Sequence, residues 1–167
     1  MDWQTLFENY RRTVSEHFFD LHGRVGRAQF WYFVLVNFLF GLVAAILQGA
    51  TGLPLGTIYN LVLLFPMAGI GARRLQDTGR DGRLVWVFLI AGFVSQIASA
   101  MAAVAFFTTG FFGLFLIGPI AVLINIAFLV ASLAMIWFWI QPGDPLPNAY
   151  GPPPPAFDPS AKPSPIV

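Results

Sequence analysis

The chain has 167 residues, 57% hydrophobic and only 10% charged, with a net charge of +1 and a mean hydropathy of +0.70. A soluble domain carries about 25% charged residues, so this composition excludes an ordinary water-soluble globule, and so small a net charge gives no ground for a nucleic-acid partner. The absence of cysteine excludes disulfides, thiolate catalysis and cysteine-held metals.

Residues 1–22 come first. Trp3, Phe7, Tyr10, Val14, Phe18 and Leu21 recur at spacings of three and four, the stripe of an amphipathic helix. Glu8, Arg11, Arg12, Glu16 and Asp20 lie largely off that stripe. Two readings stay open: a helix lying in the membrane interface, or one packed on the protein's own end. The segment carries acidic residues and no short basic n-region, so the first apolar run reads as a retained anchor.

No charged residue occurs in 28–72 or in 84–143. A hydrocarbon core ~30 Å thick needs about 20 helical residues, so each run holds two crossings. Gly and Pro at 49–56 break the first run and Thr108-Thr109-Gly110 breaks the second. This predicts helices near 28–48, 56–76, 82–106 and 113–140. Pro66 is expected to kink the second helix. The fourth is long, and either tilts or begins with an interfacial stretch before Pro119. Between the runs lies Arg73-Arg74-Leu75-Gln76-Asp77-Thr78-Gly79-Arg80-Asp81-Gly82-Arg83. Here Gly79 is expected to end a helix, Asp81 to cap the next, and Arg73 to pair with Asp77 four residues on. Residues 142–167 hold ten of the thirteen prolines and read as an extended, disordered tail. A docking segment for a proline-recognition module is the alternative.

All eight arginines lie in 11–27 or 73–83. Cytoplasmic loops are enriched in Lys and Arg, so both termini and the central loop are expected in the cytoplasm. Asn37, Gln48, Asn60, Gln96 and Asn125 are expected to bond between helices, with Asn60 and Gln96 turned to helix neighbours. The runs hold no ionisable group of the kind that marks proton relays. Small residues recur at Gly41, Ala45 and Gly49, and at Ala91, Ser95, Ser99 and Ala103, as stripes for close packing within the chain or between copies. His17 and His22 are too few ligands for a metal site. A divalent ion at Asp77 and Asp81 is the weaker reading, because arginines surround both. No catalytic residues and no cofactor are assigned. Gly23-Arg24-Val25-Gly26-Arg27 echoes Gly79-Arg80-Asp81-Gly82-Arg83, and each is followed by tryptophan, Trp31 or Trp86.

With these segments in view, the chain resembles the bacterial membrane family catalogued as domain of unknown function 805. The resemblance runs from about Trp3 to Gly151. It rests on Gly23 to Trp31, on Arg73 to Gly82, and on Asn148-Ala149-Tyr150-Gly151. The family carries histidine where this chain has Gln76, an aromatic at Arg83 and arginine at Ala149. The resemblance implies a small inner-membrane protein of four helices with no established activity.

The expected architecture is all-α. An integral membrane four-helix bundle occupies 23–141, preceded by an amphipathic helix in 1–22 and followed by a Pro-rich tail in 142–167. The expected function is non-enzymatic. Arg24, Arg27, Arg73, Arg74, Arg80 and Arg83, with Asp77, form a candidate site for anionic lipid headgroups or a phosphorylated ligand. A homo-oligomer or a membrane-protein partner is compatible with this. The alternative is a channel or carrier with an amide-lined path, and a third reading is an enzyme acting on lipid phosphates through Asp77.

Overall fold

The computed structural model describes residues 3–155. Among these it is all-helical, with α1 (Trp3–Ser15), α2 (Arg27–Thr51), α3 (Leu55–Asp77), α4 (Leu84–Thr109) and α5 (Phe111–Ile140). Helices α2 to α5 have 25, 23, 26 and 30 residues and are each long and apolar enough to cross a membrane. At ~1.5 Å per residue they run about 35–45 Å. The charge-free runs placed all four within a few residues. Asp81 does not cap α4. The N-cap is Arg83, with no side-chain bond to the helix. The stretch Phe111–Gly118 is continuous with the rest of α5, and Pro119 lies inside that helix.

The chain divides into two units. One comprises residues up to Gly82 and from Gln141 onward, and the other Arg83–Ile140. In the first, α2 and α3 form a hairpin. Gln48 Oε1 accepts from Gly56 N at 3.0 Å and Thr57 N at 3.2 Å, which satisfies N–H groups that the first turn of α3 leaves without intrahelical partners. Gly41 lies against the Tyr59 ring, and Tyr59 Oη donates to Asn37 Oδ1 at 2.8 Å.

Burial along α3 is uneven. Every residue from Ala68 to Asp77 is buried, whereas Ile58, Leu61, Val62, Leu64 and Phe65 are exposed. Ten consecutive buried positions face every direction around a helix, so protein rather than lipid envelops this end. Part of the envelope is the segment after α1: Gln76 Nε2 donates to Leu21 O at 2.9 Å and Val25 N to Arg73 O at 3.3 Å. A Cβ on Gly69 would stand 2.8 Å from Asp20 O, so this approach requires glycine. Helix α1 adds Leu6, Asn9 and Thr13, all buried. Asn9 Nδ2 donates to Gln29 O at 3.4 Å, and Tyr10 stacks on Phe33 at 5.3 Å between ring centres.

In the second unit, α4 and α5 form a hairpin about Gly110, whose φ is +64°. Its polar join is Asn125. Ser95 Oγ donates to Asn125 Oδ1 at 2.8 Å, and Asn125 Nδ2 donates to Ser99 Oγ at 3.1 Å and Ala121 O at 2.7 Å. Phe88 stacks on Phe128. Not every amide behaves as the sequence suggested. Asn60 and Gln96 are exposed, and Asn60 Nδ2 turns back to Gly56 O of its own helix at 2.9 Å. A carbonyl four residues back is always within reach, so such a bond needs no neighbour.

Candidate functional site

Asp77, the last residue of α3, is the centre of the cluster. Its side chain is 3% exposed and meets two guanidiniums. Arg24 Nε donates to Oδ1 at 3.0 Å, and Arg74, one turn back on α3, donates through Nη1 to Oδ2. Arg73, expected as the partner, points elsewhere, with Nη1 3.6 Å from Asp20 Oδ2. Helix periodicity allows both i, i+3 and i, i+4 pairs. Asp77 takes the former, with Arg24 approaching from a distant segment and Arg73 turned to Asp20.

Further donors of Arg24 and Arg74 reach backbone carbonyls after α5, and Arg24 Nη2 also reaches Asp77 O at 3.4 Å. Arg24 Nη1 donates to Leu146 O at 2.9 Å and Gly151 O at 3.2 Å, and Nη2 to Asp144 O at 2.5 Å. Arg74 Nη2 donates to Gln141 O. Asp144 N donates to Asp77 O at 2.7 Å, and Asn148 Nδ2 bonds Gln76 O at 3.0 Å and Asp144 Oδ2 at 2.9 Å. The chain from Gln141 to Gly151 is therefore a strap laid over the end of α3. This corrects the expectation of a disordered tail over 142–155. Buried arginines supply more donors than Asp77 can accept, and carbonyls of a proline-rich segment that forms no regular structure are available to them. The rest of the tail, 156–167, lies outside the described residues.

Two glycines make room for the strap. A Cβ on Gly143 would lie 2.6 Å from Asp77 Cγ. Gly79 has φ +72° and would place a Cβ 3.0 Å from Asp144 Oδ2. Gly23, its counterpart in the sequence echo, also has positive φ, +94°.

The seven candidate residues thus fall into different places. Arg24, Arg74 and Asp77 come together, and Arg80 Nη2 reaches Gln141 Oε1 of the strap at 3.4 Å. Arg73 pairs with the loop before α2. Arg27, the first residue of α2, is exposed. Arg83 is exposed and belongs to the other unit. Sequence reasoning missed Asp20, Gln141, Asp144 and Asn148. Only Asn148 carried a signal, as part of Asn148-Ala149-Tyr150-Gly151. Among the described residues no group of three or more His, Asp or Glu side chains is placed to hold a metal. Arg73 Nε and Gln76 Oε1 are buried without a hydrogen-bond partner among the described residues.

The family described as "Protein of unknown function (DUF805)" matches residues 18–152. Inner membrane protein YhaI of Escherichia coli K12 is 32% identical over 101 residues, 59% of this chain and 82% of its own. Inner membrane protein YhaH of the same organism is 32% identical over 98 residues, 54% of this chain and 74% of its own. Uncharacterized protein YiiR, also from that strain, is 38% identical over 80 residues, 47% of this chain and 53% of its own. No solved structure matches the chain.

Proposed function

We propose, from the premise that the chain belongs to the DUF805 family of proteins of unknown function, that it is a small non-enzymatic inner-membrane protein whose arginine-rich face engages anionic lipid headgroups. That face is cytoplasmic by the bias of Lys and Arg toward cytoplasmic loops. The segments before α2 and after α5 lie on the same side of the membrane as the loop between α3 and α4.

One observation carries the reading. The arginines divide by exposure: the side chains of Arg24, Arg73 and Arg74 are buried, and Arg27 and Arg83 are exposed at helix starts. A buried guanidinium paired with a carboxylate supports structure. An exposed one at the start of an apolar helix, with tryptophan close behind at Trp31 or Trp86, sits at headgroup level. The test is lipid retention by the purified protein, measured by native mass spectrometry with phosphatidylglycerol and phosphatidylcholine. Arg27→Ala and Arg83→Ala each lower the retained phosphatidylglycerol about fivefold, as ~1 kcal/mol per arginine near an anionic surface implies. Unchanged retention in both variants ends the proposal.

The channel reading draws on the same amides, but Asn37, Gln48, Asn60 and Asn125 each have internal hydrogen bonds. Solute flux in vesicles holding the purified protein is the measurement that favours it.

A further inference from the structure

Irregular backbone brackets helix α3 at two levels. The first is its start, where Gly52-Leu53-Pro54 joins it to α2 without regular structure and with all three residues exposed. The second is Gly69, where a Cβ would lie 2.8 Å from Asp20 O and 3.8 Å from His17 O. Those carbonyls belong to residues 16–26, which form neither helix nor strand and in which Glu16, Phe19 and His22 are exposed. Hydrocarbon offers no partner to backbone polar groups, so exposed irregular backbone lies outside it. At the loop, the last carbonyls of α2 lack intrahelical donors, as at any helix end, and need water or headgroups.

The part of α3 free to stand in hydrocarbon is therefore 55–68, about 14 residues or ~21 Å. Its exposed large apolar side chains stop at Phe65, beside which Phe19 packs at 5.4 Å between ring centres. Helix α2 gives the same boundary independently. A Cβ on Gly56 would lie 3.5 Å from Ala45 Cα, which sets the antiparallel register. Thirteen positions on from Gly56 is Gly69, and thirteen back from Ala45 is Tyr32. Trp31 and Tyr32 thus stand level with Gly69, and Trp and Tyr gather at the membrane–water boundary. From Tyr32 to Gln48, whose amide already serves the loop, α2 runs about 24 Å. A typical core is ~30 Å thick, so the hairpin is short by about 6–9 Å, and tilting only shortens it further.

We infer that the α2–α3 hairpin seats in a locally thinned bilayer, its surface fitted to a lipid core of about 21–24 Å. A span shorter than the core is met by thinning of the bilayer. Stopping short within an undeformed bilayer is the other way to accommodate it, and that would leave the exposed backbone of Gly52-Leu53-Pro54 in hydrocarbon. The inference concerns acyl-chain thickness, not headgroup charge, and so goes beyond the proposed headgroup contacts.

The chain has no cysteine, so a single introduced cysteine carries a spin label at one position. The full chain is reconstituted in dioleoyl phosphatidylcholine vesicles. Power saturation then measures collision of each label with a water-soluble nickel complex and with oxygen. Labels on His22→Cys and Leu53→Cys both meet nickel, and a label on Leu61→Cys meets oxygen alone. An undeformed ~30 Å core cannot expose both ends of a ~21 Å segment, so this pattern requires thinning. In such a core, with position 22 in water, the label at 53 lies about 6–9 Å deep and is lost to nickel. That result overturns the inference, as does a label at 22 in hydrocarbon or a label at 61 open to nickel. Thr57→Cys, also exposed, replaces Leu53→Cys if that variant does not fold. The vesicles hold no anionic lipid, so the result stands apart from the test of the headgroup contacts.

Discussion

Arg24 and Asp77 lie 53 positions apart in sequence, and their side chains meet at 3.0 Å while only 2% and 3% exposed. Two charges withdrawn this far from water hold together only if each also satisfies its other hydrogen-bonding groups, and here Arg74 and the strap carbonyls do so. Asp77→Asn leaves two buried guanidiniums without their counterion, and the expected cost is about 3–5 kcal/mol. Denaturant unfolding in micelles measures it. Combined with Arg24→Ala the losses are not additive, because both act on one pair. Strict additivity would show that the pair contributes no coupling.

Gly143→Ala is the second expected defect. The new methyl group would collide with the Asp77 carboxylate, whose Cγ would be 2.6 Å from it. Overpacking costs about 1–3 kcal/mol. Protease sensitivity of the segment after Ile140 should rise in step, since the strap lifts to relieve the clash. A variant as stable and as protected as the wild type would mean the strap has room that the geometry denies.

In the second unit, Asn125→Leu removes the bonds to Ser95 and Ser99. Interhelical bonds in lipid average about 0.6 kcal/mol each and seldom exceed 2. The hairpin should therefore lose up to about 2 kcal/mol and keep its helix content by circular dichroism. A larger loss, or unfolded helices, would assign Asn125 a role beyond joining α4 to α5.

The acid response of α1 follows from Glu8. Hydrogen bonds from Arg11, then Arg12, together with their charges, hold its carboxyl down from the ordinary 4.5 to about 2. A depressed carboxylate contributes stability in full above its ordinary value and loses it as pH falls from about 4.5 through about 2. Asp20 adds in the same sense. Burial pushes its carboxyl up, but the His22 N–H, Arg73 and His17 outweigh that and hold it below its ordinary value. Melting temperature should be flat above pH 5 and fall below it, and Glu8→Gln should flatten part of the fall. An unchanged acid limb in that variant counts against the assignment.

Reporter fusions at Gly52, Gly79, Gly110 and Pro155 should read outside, inside, outside, inside. Arg24, Asp77 and Gln141 touch through one cluster, so the chain crosses an even number of times between each pair of them. An external signal at Gly79 would reverse the orientation assigned from arginine placement.

What the sequence could show follows from range. Apolar periodicity and charge-free length are local, so the existence of four long apolar helices was legible, with their ends off by up to three residues, as was Gly79 just past the end of α3. The partner of Asp77 was not, because Arg73 and Arg74 are both at helical spacing and their other partners, Asp20 for Arg73 and the strap for Arg74, come from distant segments. The strap was misread for a related reason. The prolines of 142–155 announce a segment without helix or extended strand, and over those described residues neither forms. However, backbone carbonyls are present in every sequence, so nothing in composition shows that two buried arginines will bind them. The envelope around Ala68–Asp77 was equally hidden, since hydropathy counts apolar residues without saying whether lipid or protein surrounds them.

The strap also sets an order of events during synthesis. Gln141 follows Arg74 by 67 positions, which at ~5–20 residues per second takes roughly 3–13 s. Through that interval Arg24, Arg74 and Asp77 exist without the carbonyls that complete them, and water or headgroup oxygens must serve. The cluster closes only after α4 and α5 have both been made and the chain has returned to the side it left. A chain that stalls or fails to insert its second hairpin keeps both arginines without the strap carbonyls that Arg24 and Arg74 bond in the finished fold.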